Sequence, residues 1–225
     1  MSKVVHEDDQ DYSIWLLPAV EQALQSAGHE MADVELYAAA AGPGSFTGIR
    51  IALTTVKAWN EVFHRPIASV SRLEALASRA MGHHVPEVPP EFVAAFTDAG
   101  RGQLYAAVYR RQGREQAERL QRIGDESVVS PAELVRWAAE IAGDTAMAWS
   151  SLDTESLAAE PEWQSRASKG EILEQMSPVQ APAIGRLGLK LSAQNQLTDA
   201  LRLDANYIRR PDAEVKWKGY SKPVL

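Results

Sequence analysis

The 225-residue sequence contains no cysteine, which excludes disulfides, thiolate nucleophiles and Cys-ligated metals. It has no apolar run near the roughly 20 residues that span a bilayer. Its opening residues MSKVVHEDDQD are too acidic and polar for a signal peptide. Positive charge is not in excess either, because the formal net charge is -7. We therefore predict a cytoplasmic protein that makes no membrane contact and does not bind nucleic acid by itself.

Residue patterns for metals and nucleophiles are also missing. The five histidines show no metal-binding spacing, and the motif G-x-S-x-G does not occur. Ser45 lies in G-P-G-S-F, where phenylalanine stands in place of the second glycine. Asp98 is an isolated acid after an apolar segment, which is typical of a turn residue. The sequence thus predicts no catalytic residue and no metal site.

The hydrophobic residues, 45% of the chain, are spaced as alternating strands and helices, which predicts an α/β fold. Predicted helices cover 12–27, 47–63, 71–81, 131–142 and 184–194, and predicted strands cover 34–41, 67–70, 92–98 and 103–111. Pro18 fits the first helix if it lies in the opening turn. Residues 151–182 are predicted to be irregular with one short helix, and 205–210 to be a final strand or an extended tail.

A proline-rich segment, GHHVPEVPPE at 82–91, predicts a boundary between two domains. We accordingly expect an N-terminal α/β lobe over 1–91, a second α/β lobe over 92–203 and an extended tail over 204–225. Positive charge collects in this tail, which reads as a solvated segment. The basic residues are Arg209, Arg210, Lys216, Lys218 and Lys222.

A glycine-rich stretch, AGPGSFTGIR, joins a predicted strand to a predicted helix, as phosphate-binding loops do. It is not a Walker A loop, because Ile49 and Arg50 follow Gly48, and Thr47 holds the third glycine position of the dinucleotide fingerprint. The helix N-terminus could bind an anion, or Ser45 could simply cap it. Both interpretations stay open. The residues concerned are Gly42, Gly44, Ser45, Thr47, Gly48 and Arg50.

Several segments of this sequence resemble the TsaB family, also called YeaZ, of bacterial proteins needed for threonylcarbamoyladenosine in tRNA. GPGSFTGIR at 42–50 is close to a family signature. Further matches are LLPAVEQAL at 16–24, VSRLEALA at 70–77, FTDAGRGQLYAAVY at 96–109 and YIRRPDAEVKWK at 207–218. Family members usually open with two strands containing an Ile-Asp-Thr-Ser type turn, which is missing here. Tyr12 stands where histidine is common, and Ala205 stands where proline is usual.

This resemblance implies a two-lobe fold of the actin, sugar kinase and Hsp70 class, which is ribonuclease H-like and here N-terminally truncated. It also implies a non-catalytic subunit that pairs with TsaD, which holds the metal and transfers the threonylcarbamoyl group, and with the ATPase TsaE. ATP and metal are then expected on those partners, and tRNA only through the complex. The implied pairing surface is formed by the first two helices. Its residues are Trp15, Leu16, Val20, Leu24, Ile49, Leu53, Val56 and Phe63.

Other interpretations of the resemblance remain. The chain could be a kinase-like or peptidase-like enzyme that uses the loop 42–48. It could form a homodimer through the first two helices, since an exposed apolar patch is stabilised when a second copy buries it. The absent strands would expose a strand edge and could prevent assembly, unless Lys3–His6 pairs with Val34–Ala41.

Overall fold

A computed structural model describes residues 2–6, 11–83, 90–112 and 119–209. The helices are Tyr12–Ser26 (α1), Phe46–Phe63 (α2), Arg72–His83 (α3), Pro131–Ala142 (α4), Glu155–Ala158 (α5), Pro161–Ala167 (α6) and Ala181–Ala193 (α7). The strands are Tyr37–Gly42 (β1), Ile67–Ser71 (β2), Phe92–Gly100 (β3), Gln103–Gln112 (β4), Arg119–Val129 (β5), Met147–Ser151 (β6) and Ile172–Gln175 (β7). Within these ranges no helix combines the length and the apolar composition that a bilayer span requires.

The first sheet consists of β1 and β2, which run parallel, with one helix on each face. On one face, Leu53 of α2 lies in a buried cluster with Tyr37 and Ile67. The other face carries α7, which approaches so closely that a Cβ at Gly188 would lie 2.5 Å from the Cβ of Ala38. Side chains of successive strand residues point to opposite faces of the sheet. Each face of this short sheet is therefore apolar enough to pack against a helix.

The second sheet has the strand order β5-β4-β3-β6-β7. β4 is antiparallel to both of its neighbours, β5 and β3, whereas β3, β6 and β7 are parallel to one another. One face packs against α4, with Phe96, Leu134 and Trp149 in the buried cluster. The other face packs against α3, where Leu76 and Tyr109 are buried together. This sheet therefore has two apolar faces, each covered by helices.

Two helices cross between the sheets. α3 follows β2 in sequence but packs on β3 and β6, whereas α7 follows β7 but packs on β1 and β2. β1 and β2 precede residue 91 and β3–β7 follow it, but α3 and α7 each pack on the sheet formed by the other part of the chain, and the domain boundary at residue 91 stays a prediction. The assignment of α7 to the lobe 92–203 is thus corrected, because its apolar face covers the first sheet. Residues 84–89 of the predicted linker and 210–225 of the tail lie outside the described residues.

Local sequence rules are confirmed at several points. Gly28 ends α1 with φ 73°, and the β3–β4 hairpin turns at Arg101 and Gly102, with φ of 60° and 68°. The Ser130 hydroxyl accepts from the Glu133 N–H, and the Glu133 carboxylate accepts from the Ser130 N–H, so α4 begins with a complete capping box. Helix ends and tight turns depend on neighbouring residues, and this explains why they could be predicted.

Three local predictions are wrong. α1 begins at Tyr12, so Pro18 lies inside the helix rather than in its opening turn. The region 151–182 contains β7, which pairs with β6, together with α5 and α6. Residues Lys3–His6 form no strand and do not pair with β1. Each of these outcomes depends on distant parts of the chain that local patterns do not report.

Candidate partner-binding surface and glycine turn

The glycine turn lies at the carboxyl end of β1, and other parts of the chain approach it closely. A Cβ at Gly42, where φ is 120°, would lie 3.0 Å from the backbone oxygen of Asn206. A Cβ at Gly44 would lie 2.0 Å from Nη1 of Arg72. The same Nη1 donates a hydrogen bond to the Pro43 oxygen at 3.1 Å. Gly42 is therefore required by its positive φ and by the close backbone of Asn206, whereas a side chain at Gly44 would displace the end of the Arg72 side chain.

The start of α2 is capped by its own sequence. The Ser45 hydroxyl accepts from the Gly48 N–H at 3.3 Å, while Thr47 is exposed. Burial lowers the pKa of the Arg72 guanidinium that packs into the turn. These contacts favour the interpretation of residues 42–48 as a structural turn. Its interpretation as an anion site stays a prediction.

Arg50, the last residue of the candidate anion site, contacts two aromatic rings. Its guanidinium carbon lies 3.7 Å from the ring centroid of Phe46, a cation–π distance. Its Nε donates to the Tyr207 hydroxyl at 2.8 Å. The Arg50 side chain therefore fastens the described part of the tail to the first turn of α2.

A buried carboxylate joins the two sheets and the tail. Glu126 of β5 is 9% exposed. Its carboxylate accepts hydrogen bonds from the Ser71 hydroxyl at the end of β2 and from the Asn206 side-chain amide. The carboxylate Oε1 also lies 3.6 Å from Nη1 of Arg122. A buried carboxylate needs such partners to offset its desolvation. We call these four residues the Glu126 cluster.

Three of the eight predicted partner-binding residues are buried by the chain itself. Ile49, Leu53 and Val56 are only 6%, 5% and 7% exposed and pack toward β1 and β2. A side chain enclosed by its own domain offers no area to a partner. The prediction that these residues form a partner surface is therefore wrong.

The other predicted residues are partly exposed. Trp15 and Leu16 line an apolar cavity beside β1, Val20 borders both this cavity and the space between α1 and α2, and Leu24 lines that space. Phe63, at the end of α2, lies outside both linings. Four of the five partly exposed residues thus line two different surfaces, which share Val20.

The space between α1 and α2, which we call the helix groove, has a volume of about 490 Å³. It is lined by Leu17, Val20, Glu21, Leu24, Gln25, His29, Glu30, Met31 and Trp59. Leu17 is 54% exposed, and Tyr12, Ile14 and Val62 add further exposed apolar area on the same two helices. This combination is typical of a surface that receives a helix.

Within the described ranges, no group of three or more His, Asp or Glu side chains lies close enough together to hold a metal ion.

A comparison with known protein families finds one family whose model matches almost the whole chain. A family model described as "TsaD: tRNA N6-adenosine threonylcarbamoyltransferase" matches residues 3–217. The chain belongs to this TsaD family.

Curated relatives include two proteins named TsaB. The "tRNA threonylcarbamoyladenosine biosynthesis protein TsaB" of Bacillus subtilis is 35% identical over 100 residues, which are 44% of this chain and 41% of that protein. The Escherichia coli protein of the same name is 32% identical over 96 residues, 43% of this chain and 40% of its own length. The alignments thus span less than half of these TsaB proteins.

Solved structures extend the similarity to the fold. "YeaZ from Pseudomonas aeruginosa" has a TM-score of 0.66 and 25% identity, covering 87% of this chain and 84% of that one. A second solved structure, described as an "uncharacterized protein with similarity to peptidase YEAZ from Pseudomonas aeruginosa", has a TM-score of 0.72 and 26% identity over 89% of this chain and 85% of that one. The resemblance to the TsaB (YeaZ) group and the predicted fold of the actin, sugar kinase and Hsp70 class are both confirmed.

Sequence reasoning missed two features of this TsaB-group chain. Ile14 and Leu17 form a second apolar row at i, i+3 spacing beside the recognised stripe, and this spacing could have been read as an exposed face. Glu126 and Asn206 carry no motif, and they lie 80 residues apart. Only the folded chain brings these two together.

Glu74 gives a pH-dependent prediction. Burial, and then the nearby Glu126, raise the pKa of its carboxyl. A carboxyl with a raised pKa in the folded state costs stability as the pH rises through that pKa. We expect Glu74→Gln to unfold at higher urea than the parent at neutral pH. The difference should vanish below a pH of about 4, where Glu74 is protonated in both states.

Glu133 provides the matched control, because hydrogen bonds from Ser130 lower its carboxyl pKa. Its ionised form contributes stability that is lost as the pH falls through the lowered pKa. Glu133→Gln should therefore destabilise the protein at neutral pH, opposite in sign to Glu74→Gln. Equal, pH-independent shifts for both variants would contradict this account.

Proposed function

We propose that the chain is a non-catalytic subunit in the biosynthesis of threonylcarbamoyladenosine in tRNA, and that it binds a TsaD-like protein through the helix groove. The names of the B. subtilis and E. coli relatives support the pathway. The observation that carries the binding mode is the exposed apolar groove between α1 and α2. TsaE-like ATPase, ATP, metal and tRNA then belong to the assembled complex rather than to this chain alone.

The shape and lining of the helix groove suit an amphipathic helix. Leu24, Met31 and Trp59 form an apolar floor between α1 and α2, and the exposed Leu17 stands at its edge. Such grooves bind helices through apolar anchors spaced one helical turn apart. Burial of exposed leucine and tryptophan area would provide most of the affinity.

Charge at the rim selects the partner helix. Glu21 and Glu30 line the groove, and no lysine or arginine is among its lining residues. Complementary charge raises the association rate and penalises wrong partners. The partner helix should accordingly carry lysine or arginine beside its apolar face, and its binding should weaken as salt increases.

Leu17→Asp tests this proposal. The substitution places a carboxylate beside Glu21 and the groove floor, where it would be desolvated by a bound helix. Calorimetric titration with a TsaD-like protein should show affinity reduced by at least about tenfold. The melting curve should stay close to that of the parent, because Leu17 is 54% exposed in the free chain.

Leu201→Asp is the matched control, since Leu201 is 94% exposed and is not among the groove residues. It introduces the same charge and should leave the affinity unchanged. Equal affinity for Leu17→Asp and parent would remove the groove from the proposal. Absence of binding by the parent would contradict the pairing itself, and a concentration-dependent dimer blocked by Leu17→Asp would assign the groove to a second copy.

A further inference from the structure

A polar cavity of about 310 Å³ lies where α3, α7 and the antiparallel pair β4–β5 meet. Glu74 lines it from the first turn of α3, and Gln112, Leu120 and Gln121 line it from β4 and β5. Its volume is at the lower end of the range for small-molecule sites. The crossing of α3 and α7 between the sheets therefore leaves a space of the size that a small metabolite requires.

One face of α7 forms the opposite wall of this cavity. Leu187, Lys190, Leu191 and Gln194 all line it. They follow one another at the three- and four-residue spacing that places side chains on the same side of a helix. The wall therefore presents one positive charge and one amide beside two leucines.

Glu74 is a half-buried carboxylate at the other side of the cavity. Its N–H donates to the Ser71 hydroxyl at 3.2 Å, which fixes the start of α3. Burial and the nearby Glu126 raise the pKa of its carboxyl, whereas the charges of Lys190 and Arg122 lower it. Within the described ranges, no hydrogen bond to this carboxylate is found.

Such a carboxylate costs stability at neutral pH, because it gives up hydration without gaining a hydrogen-bond donor. Glutamine would keep the shape of the Glu74 side chain without this cost. A titratable group with a shifted pKa at the wall of a cavity is typical of a functional site. The missing donor can come from a bound ligand, and a carboxylate selects one that carries positive charge.

The remaining lining residues determine what else the ligand contains. Gln112, Gln121, Gln194 and Gln196 carry amides, which both donate and accept hydrogen bonds. The three leucines of the lining provide apolar contact. Among the lining residues, the charged ones are Glu74 and Lys190, which are of opposite sign. The lining therefore suits a small molecule with both charges and a short aliphatic part.

We propose that this cavity binds a small aliphatic α-amino acid, whose ammonium group pairs with Glu74 and whose carboxylate pairs with Lys190. Its side chain contacts the leucines, and the glutamine amides bond its charged groups. A zwitterion fits this lining better than a single ion, because it matches both charges and buries no net charge. The cavity shares no lining residue with the helix groove, so the proposal goes beyond the pairing proposed there.

Titration of the full chain with L-leucine, followed by amide NMR, provides the test. We expect saturable shifts of the amides that line the cavity, with a Kd of about 1 mM or lower. Isocaproate lacks the amino group of leucine, and isoamylamine lacks its carboxylate. Each should bind at least about tenfold more weakly than L-leucine, because each loses one charge-assisted hydrogen bond.

Two variants assign the two charges. Glu74→Gln should bind L-leucine at least about tenfold more weakly than the parent and should no longer prefer it to isocaproate. Because this variant is expected to be more stable than the parent at neutral pH, weaker binding would not reflect unfolding. Lys190→Gln should instead remove the preference for L-leucine over isoamylamine.

Glu61→Gln is the matched control, because Glu61 is exposed on α2 and is not among the lining residues. It should leave the affinity for L-leucine unchanged. The proposal is overturned if the parent shows no saturable binding or if Glu74→Gln binds L-leucine as tightly as the parent. Equal affinity for L-leucine and either half-ligand would show that the cavity does not recognise a zwitterion.

Discussion

Replacing Leu53 with aspartate should unfold the part of the protein built on β1 and β2. Leu53 is 5% exposed and lies in the buried cluster with Tyr37, Ile67 and Leu203. Loss of a buried leucine costs about 2–5 kcal/mol. An unpaired carboxylate at the same place costs several more unless it takes up a proton. Since whole domains are stable by only about 5–15 kcal/mol, we expect loss of the cooperative melting transition.

Circular dichroism during heating and urea unfolding measures this effect. Leu53→Met keeps the volume and apolar character of the side chain and should cost less than about 1.5 kcal/mol. Leu17→Asp adds the same charge at an exposed position and should leave the chain folded. A Leu53→Asp protein that melts like the parent, yet no longer binds a TsaD-like partner, would restore Leu53 to the partner surface.

Replacing Gly188 with alanine should separate α7 from the first sheet. The added Cβ would lie 2.5 Å from the Cβ of Ala38 and 3.4 Å from that of Ala68. Helix and strand cannot both keep their positions, and overpacking of this kind costs about 1–3 kcal/mol. This cost should exceed the gain in helix propensity, which is at most about 1 kcal/mol. Urea unfolding should therefore show a less stable protein.

Gly185 offers the control within the same helix. No heavy atom lies within 4 Å of a Cβ built at this position. Gly185→Ala should therefore show only the propensity gain, a stabilisation of about 0.5–1 kcal/mol. Shifts of the same sign for the two alanine variants would show that contact with Ala38 does not limit residue 188.

Most elements of the fold could be predicted from the sequence, because their signals are local. The glycine at residue 28, the Ser130 capping box and the Arg101–Gly102 turn each depend on a few adjacent residues. β5, β6 and β7 are not among the predicted strands; the four residues of β7, for example, show no strong alternation and form a strand only beside β6. The crossing of α3 and α7 could not be predicted either, since periodicity identifies an apolar face but not what covers it.

Because periodicity does not show what covers an apolar face, part of the predicted partner surface is wrong. The apolar spacing of Ile49, Leu53 and Val56 was recognised correctly, but these residues face β1 and β2 rather than a partner. The exposed fraction of each side chain distinguishes an internal contact from a partner surface, and this fraction cannot be read from a single sequence. The Glu126 cluster needs contacts across 55 and 80 residues, so no spacing rule could have indicated it.

The crossing of α3 and α7 makes each half of the chain dependent on the other. A fragment that ends before β3 would carry α3 with no sheet to cover and would leave one side of β1 bare, since α7 would be missing. A fragment that begins at β3 would expose the side of its sheet that Leu76 now shields. Neither fragment is self-sufficient, so limited proteolysis between the halves should yield two pieces that stay associated or degrade together.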